Sequence, residues 1–393
     1  MESLLVLSIS ALMFLSPLMA ERFFGQPYEK GLLLIRQNLG WFSFFLFAAF
    51  MRDFEEVDRM LWKLTFLFGI YLLILLATKF DPGLGIIHYD ERFYKKGSTL
   101  MRFGEHRLFF PYGDIPVFLY SICLGRLLHK DPEMSAWRKF MAMGFVLLTA
   151  YAILSTYTRI LVFSTLVATA FAFYRSKRPI LKWVSLVIVC LLVSVQTIAM
   201  LSGGTLGILE ETKLGKMAIK SGELRPEAGR EFQVKMYVTN FLKSPLFGVG
   251  NIATRKDTYW ENGTLTTYRK YGFFNGSDMG YMKIIAESGI LGVIWMIAFF
   301  VYFWRRCRRM QAAAVARGDA SSEAIASGLG YFMVYLLMSG VTLAHFVQPS
   351  AIGVVSLALA TLAVAGSSPR EVPATVSQPF SSRSIVPLRG LVV

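Results

Sequence analysis

The chain has 393 residues, 54% of them hydrophobic and only 17% charged, with a mean hydropathy of +0.49 and a formal net charge of +15 at pH 7. Soluble domains carry about 25% charged residues, so this composition excludes an ordinary water-soluble enzyme and indicates an all-α polytopic membrane protein. Three scattered cysteines (Cys123, Cys190, Cys307) and four histidines without ligand spacing provide no disulfide framework, no metal set and no cofactor motif, and nothing points to nucleic acid.

A helix needs roughly 20 mainly apolar residues to cross a bilayer, and that rule predicts about ten transmembrane helices. They fall near 2–19, 33–51, 60–78, 111–128, 138–155, 158–175, 180–201, 280–304, 326–345 and 349–366. Leu18-Met19-Ala20 looks like a signal-cleavage site, but Glu2 and the lack of a basic n-region favour an uncleaved first span. The second span is the weakest, because Arg36 and Gln37 sit near its outer end.

Basic residues in the connections orient the chain. Arg126, Lys130, Arg138 and Lys139 flank one connection; Arg175, Lys177, Arg178 and Lys182 flank another; Arg305, Arg306, Arg308 and Arg309 form a third cluster. Placing these inside puts both termini inside and the loops 79–110 and 202–279 outside. The resulting plan has N-terminal spans over 1–201, one large outer loop over 202–279, C-terminal spans over 280–366 and a Ser/Pro-rich disordered tail over 367–393. Both outer loops are themselves basic, which asks for an anionic ligand.

The chemistry-bearing residues follow the chain. Arg159 ends the tight outer turn Ser155-Thr156-Tyr157-Thr158-Arg159, where a charge at a span end is costly unless it snorkels or has a task. In the first outer loop, Lys95, Lys96, Arg102 and Arg107 offer a cationic funnel, with Lys95 and Arg102 taken as phosphate contacts. In the large loop, Glu227–Phe241 has a partial helical stripe of Phe232, Met236, Val238 and Phe241, stopped by Ser244-Pro245. Arg225 and Arg230 flank its start, and two guanidinium forks suit a pyrophosphate. A Pro245-Leu-Phe-Gly-Val-Gly250 turn follows.

Asp278 stands at the edge of the next span, where it either caps the helix or acts as a general base on a sugar hydroxyl. Tyr281 is a candidate sugar contact, and Glu287 has Lys283 one turn earlier as a partner. Cations and a carboxylate at a membrane boundary are what chemistry on a lipid-linked pyrophosphate requires.

At these residues the chain resembles the O-antigen ligase and polymerase family over roughly 150–300. Ser155 to Arg159 looks like the family's Ser-x-Ser-Arg turn, with threonine at position 158. Arg230 followed by Pro245–Gly250 resembles its arginine and Pro-Leu-Phe-Gly-Val-Gly segment, and Asp278 followed by Gly289-Ile-Leu-Gly292 resembles its His-Asn…Glu-x-Gly-Leu-x-Gly helix start. Asp278 and Met279 stand where the ligases carry histidine and asparagine, a departure that favours a polymerase.

The resemblance implies a multi-pass protein of the bacterial inner membrane with its active face in the periplasm. It would join oligosaccharide repeats carried on undecaprenyl pyrophosphate by inverting glycosyl transfer, with Asp278, Arg230 and Arg159 catalytic, and membrane lipid around it. A chain-length-determining co-polymerase is implied by the resemblance alone. The close rival is a ligase that moves finished glycan from the same carrier to lipid A core. The rival of another class, a lipid-linked oligosaccharide flippase, fits less well, since repeats and mid-membrane charges are not evident.

Overall fold

The computed structural model describes residues 1–80, 101–102, 105–106, 108, 114–129, 134–156, 158–201, 230–251, 280–341, 343, 345–346 and 349–367. Helices dominate: α1 (Glu2–Phe24), α2 (Tyr28–Ile35), α3 (Ser43–Phe50), α4 (Phe54–Phe80), α5 (Asp114–His129), α6 (Ala136–Ser155), α7 (Arg159–Arg175), α8 (Pro179–Leu201), α9 (Arg230–Lys243), α10 (Gly280–Arg317), α11 (Ala320–Ser339) and α12 (Pro349–Ser367). A two-residue antiparallel ladder pairs β1 (Met101–Arg102) with β2 (Glu105–His106).

Among the described residues, four helices are long and apolar enough to cross a membrane: Glu2–Phe24, Phe54–Thr78, Ala136–Ser155 and Gly280–Arg317. Their outward faces agree, since Leu4, Leu73, Leu147 and Ile294, one on each, are all more than half exposed, as side chains turned to lipid are. Of the other apolar helices, α8 and α12 are at least as long as the spans expected there, while α5 (16 residues) and α7 (17 residues) are slightly shorter.

The span expected over 33–51 is not one helix. It divides into α2, a 3-10 segment at Arg36–Phe42 and α3. Asn38, Gly40 and an adjacent Arg36 make this a poor α-helical stretch. The break is tolerable because side chains meet its backbone: Ser43 Oγ donates to the Gly40 carbonyl at 2.6 Å and Ser356 Oγ to the same oxygen at 3.5 Å. Fully buried Trp41 projects from the break, stacked on Phe346 and edge-on to Trp295.

α11 is the centre of the bundle, nearly buried along its length and packed on α5, α7 and α10. Two ends of the bundle are chemically distinct. One gathers Arg126 with Asp58 (2.6 Å), Arg306 with Glu2 (3.6 Å), and Glu323 with His129 (3.1 Å) and Lys177 (3.5 Å). There Arg126 is 2% exposed and also lies over the Trp62 ring, so a buried cation is held by a carboxylate and an aromatic face together. The opposite end carries Asp114, the 155–159 turn, the 244–251 segment and the start of α10.

Candidate functional site

The two motif segments of the large loop and the following span interlock through their backbones. α10 is interrupted at Gly289, whose φ of 60° and ψ of −152° belong to a region that essentially only glycine occupies. In an unbroken helix, Ile290 and Leu291 would donate to the carbonyls of Ala286 and Glu287. Instead, all four groups find partners in the Pro245–Gly250 turn. Val249 N–H donates to Ala286 O at 2.9 Å and Gly250 N–H to Glu287 O at 3.1 Å. Ile290 N–H donates to Pro245 O at 2.7 Å and Leu291 N–H to Leu246 O at 3.3 Å. The turn thus fills the gap in the ladder, the condition under which irregular backbone survives at membrane depth.

Close approach explains the glycines. A Cβ on Gly248 (φ +70°) would collide with the backbone of Glu287, and one on Gly289 would lie 2.5 Å from the Gly248 nitrogen. The far side of the turn rests on α1. Asn251 N–H donates to Ser16 Oγ at 2.8 Å, Gln26 Nε2 donates to Asn251 O at 3.2 Å, and Val249 packs with Ala20 and Phe24. One short turn therefore ties α1, α9 and α10 together.

The loop helix stops where Ser244-Pro245 predicts, but its face differs from the expected stripe. Val238 is 42% exposed, whereas Tyr237 and Asn240 are fully buried. The alternation is set by docking on α10 rather than by the apolar residues alone. Among the described residues, neither the oxygen nor the nitrogen of the Asn240 amide has a hydrogen-bond partner. An amide buried without partners costs about 1–3 kcal/mol. Asn240→Leu is accordingly expected to raise thermal stability by about 1–2 kcal/mol, read from the melting midpoint of the purified protein; a lower midpoint would show that the amide is satisfied by a bound group.

Arg159 opens α7 directly after an extended Thr158, half-buried. A cation at a helix's first residue opposes the macrodipole, so helix stability does not account for it. The preceding turn is tightly tied: Thr156 Oγ1 donates to Ile153 O at 2.7 Å and accepts from Thr158 N–H at 3.1 Å, while Ser155 O accepts from Leu108 N–H at 3.0 Å. This connects the segment before α5 to the arginine turn.

Tyr281 is committed to the scaffold. Its hydroxyl donates to Leu337 O at 2.6 Å, its amide donates to Gly340 O at 3.0 Å, and its ring meets Phe300 edge-on. Glu287 is 4% exposed and pairs with Lys283 at 3.7 Å, the partner expected from their spacing. Arg102 lies in the β1–β2 ladder and Arg230 begins α9. Asp278, Arg225 and Lys95 lie outside the described residues.

A polar cluster absent from the sequence reading sits at the same end. Asp114 Oδ1 accepts from the Tyr335 hydroxyl at 2.8 Å, and Asp114 Oδ2 lies 3.3 Å from His345 Nδ1. His345 Nε2 is 2.6 Å from Ser339 Oγ, whose proton goes to Tyr335 O at 2.7 Å. Both imidazole nitrogens therefore face oxygen atoms. The connection bearing His345 seats α10, because a side chain on Gly280 would collide with the carbonyls of Gly340 and Leu343. The only sequence signal was an unremarkable histidine near a span end, its partners lying on other helices.

Residues 144–297 match the family model described as O-antigen ligase. The matched region begins in α6 and ends in α10, so it takes in the Arg159 turn, α9, the Pro245–Gly250 turn and the broken helix. No curated protein matches the chain. The match covers less than half of the chain, and it supports membership of the O-antigen ligase/polymerase family.

Proposed function

We propose that this chain is a polysaccharide polymerase of the bacterial inner membrane, acting at its periplasmic face on repeats carried by undecaprenyl pyrophosphate. The observation that carries the reading is the interlock of the Pro245–Gly250 turn with the break at Gly289. It holds α9, which Arg230 begins, against the helix that Asp278 precedes by two residues, at the end of the bundle that also bears Arg159. In this topology about ten crossings leave both termini inside and the loops 79–110 and 202–279 outside.

Asp278 takes the proton of an acceptor sugar hydroxyl as that oxygen bonds to the donor's anomeric carbon. The bond from that carbon to the pyrophosphate breaks on the opposite face, inverting the configuration. Arg159 and Arg230 stabilise the charge that develops on the departing pyrophosphate, and Arg225, Lys95 and Arg102 assist its binding. Tyr281 serves the site by bracing the helix start.

The family match is equally consistent with a second reading, a ligase that delivers glycan to lipid A core or another acceptor. Asp278→Asn separates the two in a strain expressing normal protein levels. Gels of surface glycan and of extracted carrier-lipid glycan should show single repeats accumulating on the lipid, with polymer reduced at least ~100-fold if the base is lost. Long chains retained on the lipid would establish the ligase instead, and an unchanged ladder would sink both roles for Asp278 and leave it a helix cap.

A further inference from the structure

At the arginine-rich end of the bundle, far along α10 from the interlocked turn, a shallow cleft open to the surface lies between α7, α10 and α11. Arg175, Trp304, Arg308, Gln311, Ser327 and Tyr331 line it. Its polar groups are organised: Arg175 donates to Gln311 Oε1 at 2.9 Å, and Gln311 Nε2 donates to Ser327 Oγ at 3.0 Å. Arg308 lies over the Trp304 ring at 5.9 Å. Among the described residues, no carboxylate is within ion-pair distance of Arg175 or Arg308. The nearby Glu323 is already paired with His129 and Lys177.

The floor of the cleft supplies the second observation. Tyr331 is 3% exposed, and its hydroxyl lies beside Ser327 without a well-aligned hydrogen bond among the described residues. A buried hydroxyl without a well-aligned partner is costly, and a donor aimed into a cleft rimmed by two unneutralised guanidiniums calls for an acceptor of negative charge. Phe171 and Trp304 extend the same wall with aromatic surface.

We propose that this cleft binds an anionic phosphoryl group, with Arg175 and Arg308 on its oxygens and Tyr331 donating from below. The aromatic wall beside the guanidiniums, at the depth where Trp304 gives way to Arg305 and Arg306, fits the headgroup of an anionic phospholipid whose chains run up the bundle. This site is separate from glycosyl transfer and does not rest on that reading.

The test uses the full chain purified in detergent, titrated with phosphatidylglycerol, phosphatidylcholine or inorganic phosphate, with bound lipid read by native mass spectrometry and stability by thermal melting. Phosphatidylglycerol should bind and raise the midpoint where phosphatidylcholine does not. The Arg175→Gln/Arg308→Gln variant should lose about tenfold or more in affinity, the worth of a charge-assisted hydrogen bond. Tyr331→Phe, which leaves the fold and the arginines in place, should lose a few-fold. If inorganic phosphate alone stabilises the protein and the double variant abolishes that effect, the site stands with a soluble ligand. Equal binding of both lipids with no phosphate effect, or unchanged binding by both variants, would overturn it.

Discussion

Gly289→Ala is expected to destabilise the protein by about 2–6 kcal/mol and to abolish glycan assembly even where protein remains in the membrane. Two costs combine. The conformation at φ 60° and ψ −152° penalises any side chain by about 1–3 kcal/mol. The added methyl also meets the Gly248 nitrogen and the Leu246 carbonyl, the latter at 2.6 Å, and overpacking costs a further ~1–3 kcal/mol. Neither neighbour can give way, because both are backbone and both belong to the turn that satisfies Ala286, Glu287, Ile290 and Leu291.

If the methyl pushes the turn out, those four groups lose their partners in a place without water. Thermal melting of the purified variant gives the stability change. Gly144→Ala supplies the control, since a Cβ there meets nothing and should stabilise helix α6 by about 0.5–1 kcal/mol. Equal midpoints for Gly289→Ala and the wild type would show that the break at Gly289 is not what holds the turn.

That interlock marks the boundary of what is legible in the sequence. The apolar runs identify most helices, because a window of hydropathy is a local property. Ser244-Pro245 identifies the end of α9, because proline's constraint is local too. The segments Pro245–Gly250 and Glu287–Gly292 are also visible as glycine-bearing motifs. Their mutual docking is not, since hydrogen bonds between distant backbone groups leave no periodicity; only the glycines betray that two segments must approach closely.

The same logic accounts for the errors. The stretch 33–51 has the composition of a span, and its division at Arg36–Phe42 depends on hydroxyls that include one from distant α12. The stripe expected on α9 assigned Val238 inward from hydrophobicity, whereas docking turned Tyr237 and Asn240 to the interior. His345 carried no spacing signal, because Asp114, Tyr335 and Ser339 reach it from helices that only the fold brings together.

Asp114→Asn tests the other structure on which the site stands. The carboxylate accepts a hydrogen bond from Tyr335 and faces His345, which is 1% exposed, so replacing it by an amide leaves a buried ring nitrogen without its carboxylate partner. Breaking one partner of a buried pair costs about 3–5 kcal/mol, and the near-isosteric amide keeps the volume constant, so a loss of this size would be electrostatic rather than a cavity effect. His345→Gln should cost a similar amount for the same reason. The double variant should cost little more than either alone, because the second change removes a group that the first had already orphaned. Additive losses would show that the two residues act independently.

The consequence for activity follows from what the pair anchors. His345 lies on the connection whose Gly340 and Leu343 carbonyls press on Gly280 and whose Gly340 accepts from the Tyr281 amide. Loosening it frees the first turn of α10, two residues after Asp278. Polymer yield should therefore fall more steeply than protein level in Asp114→Asn, and Asp114→Glu, which restores the charge, should recover part of it. A variant that loses stability but keeps full yield per folded molecule would confine the cluster to holding the bundle together.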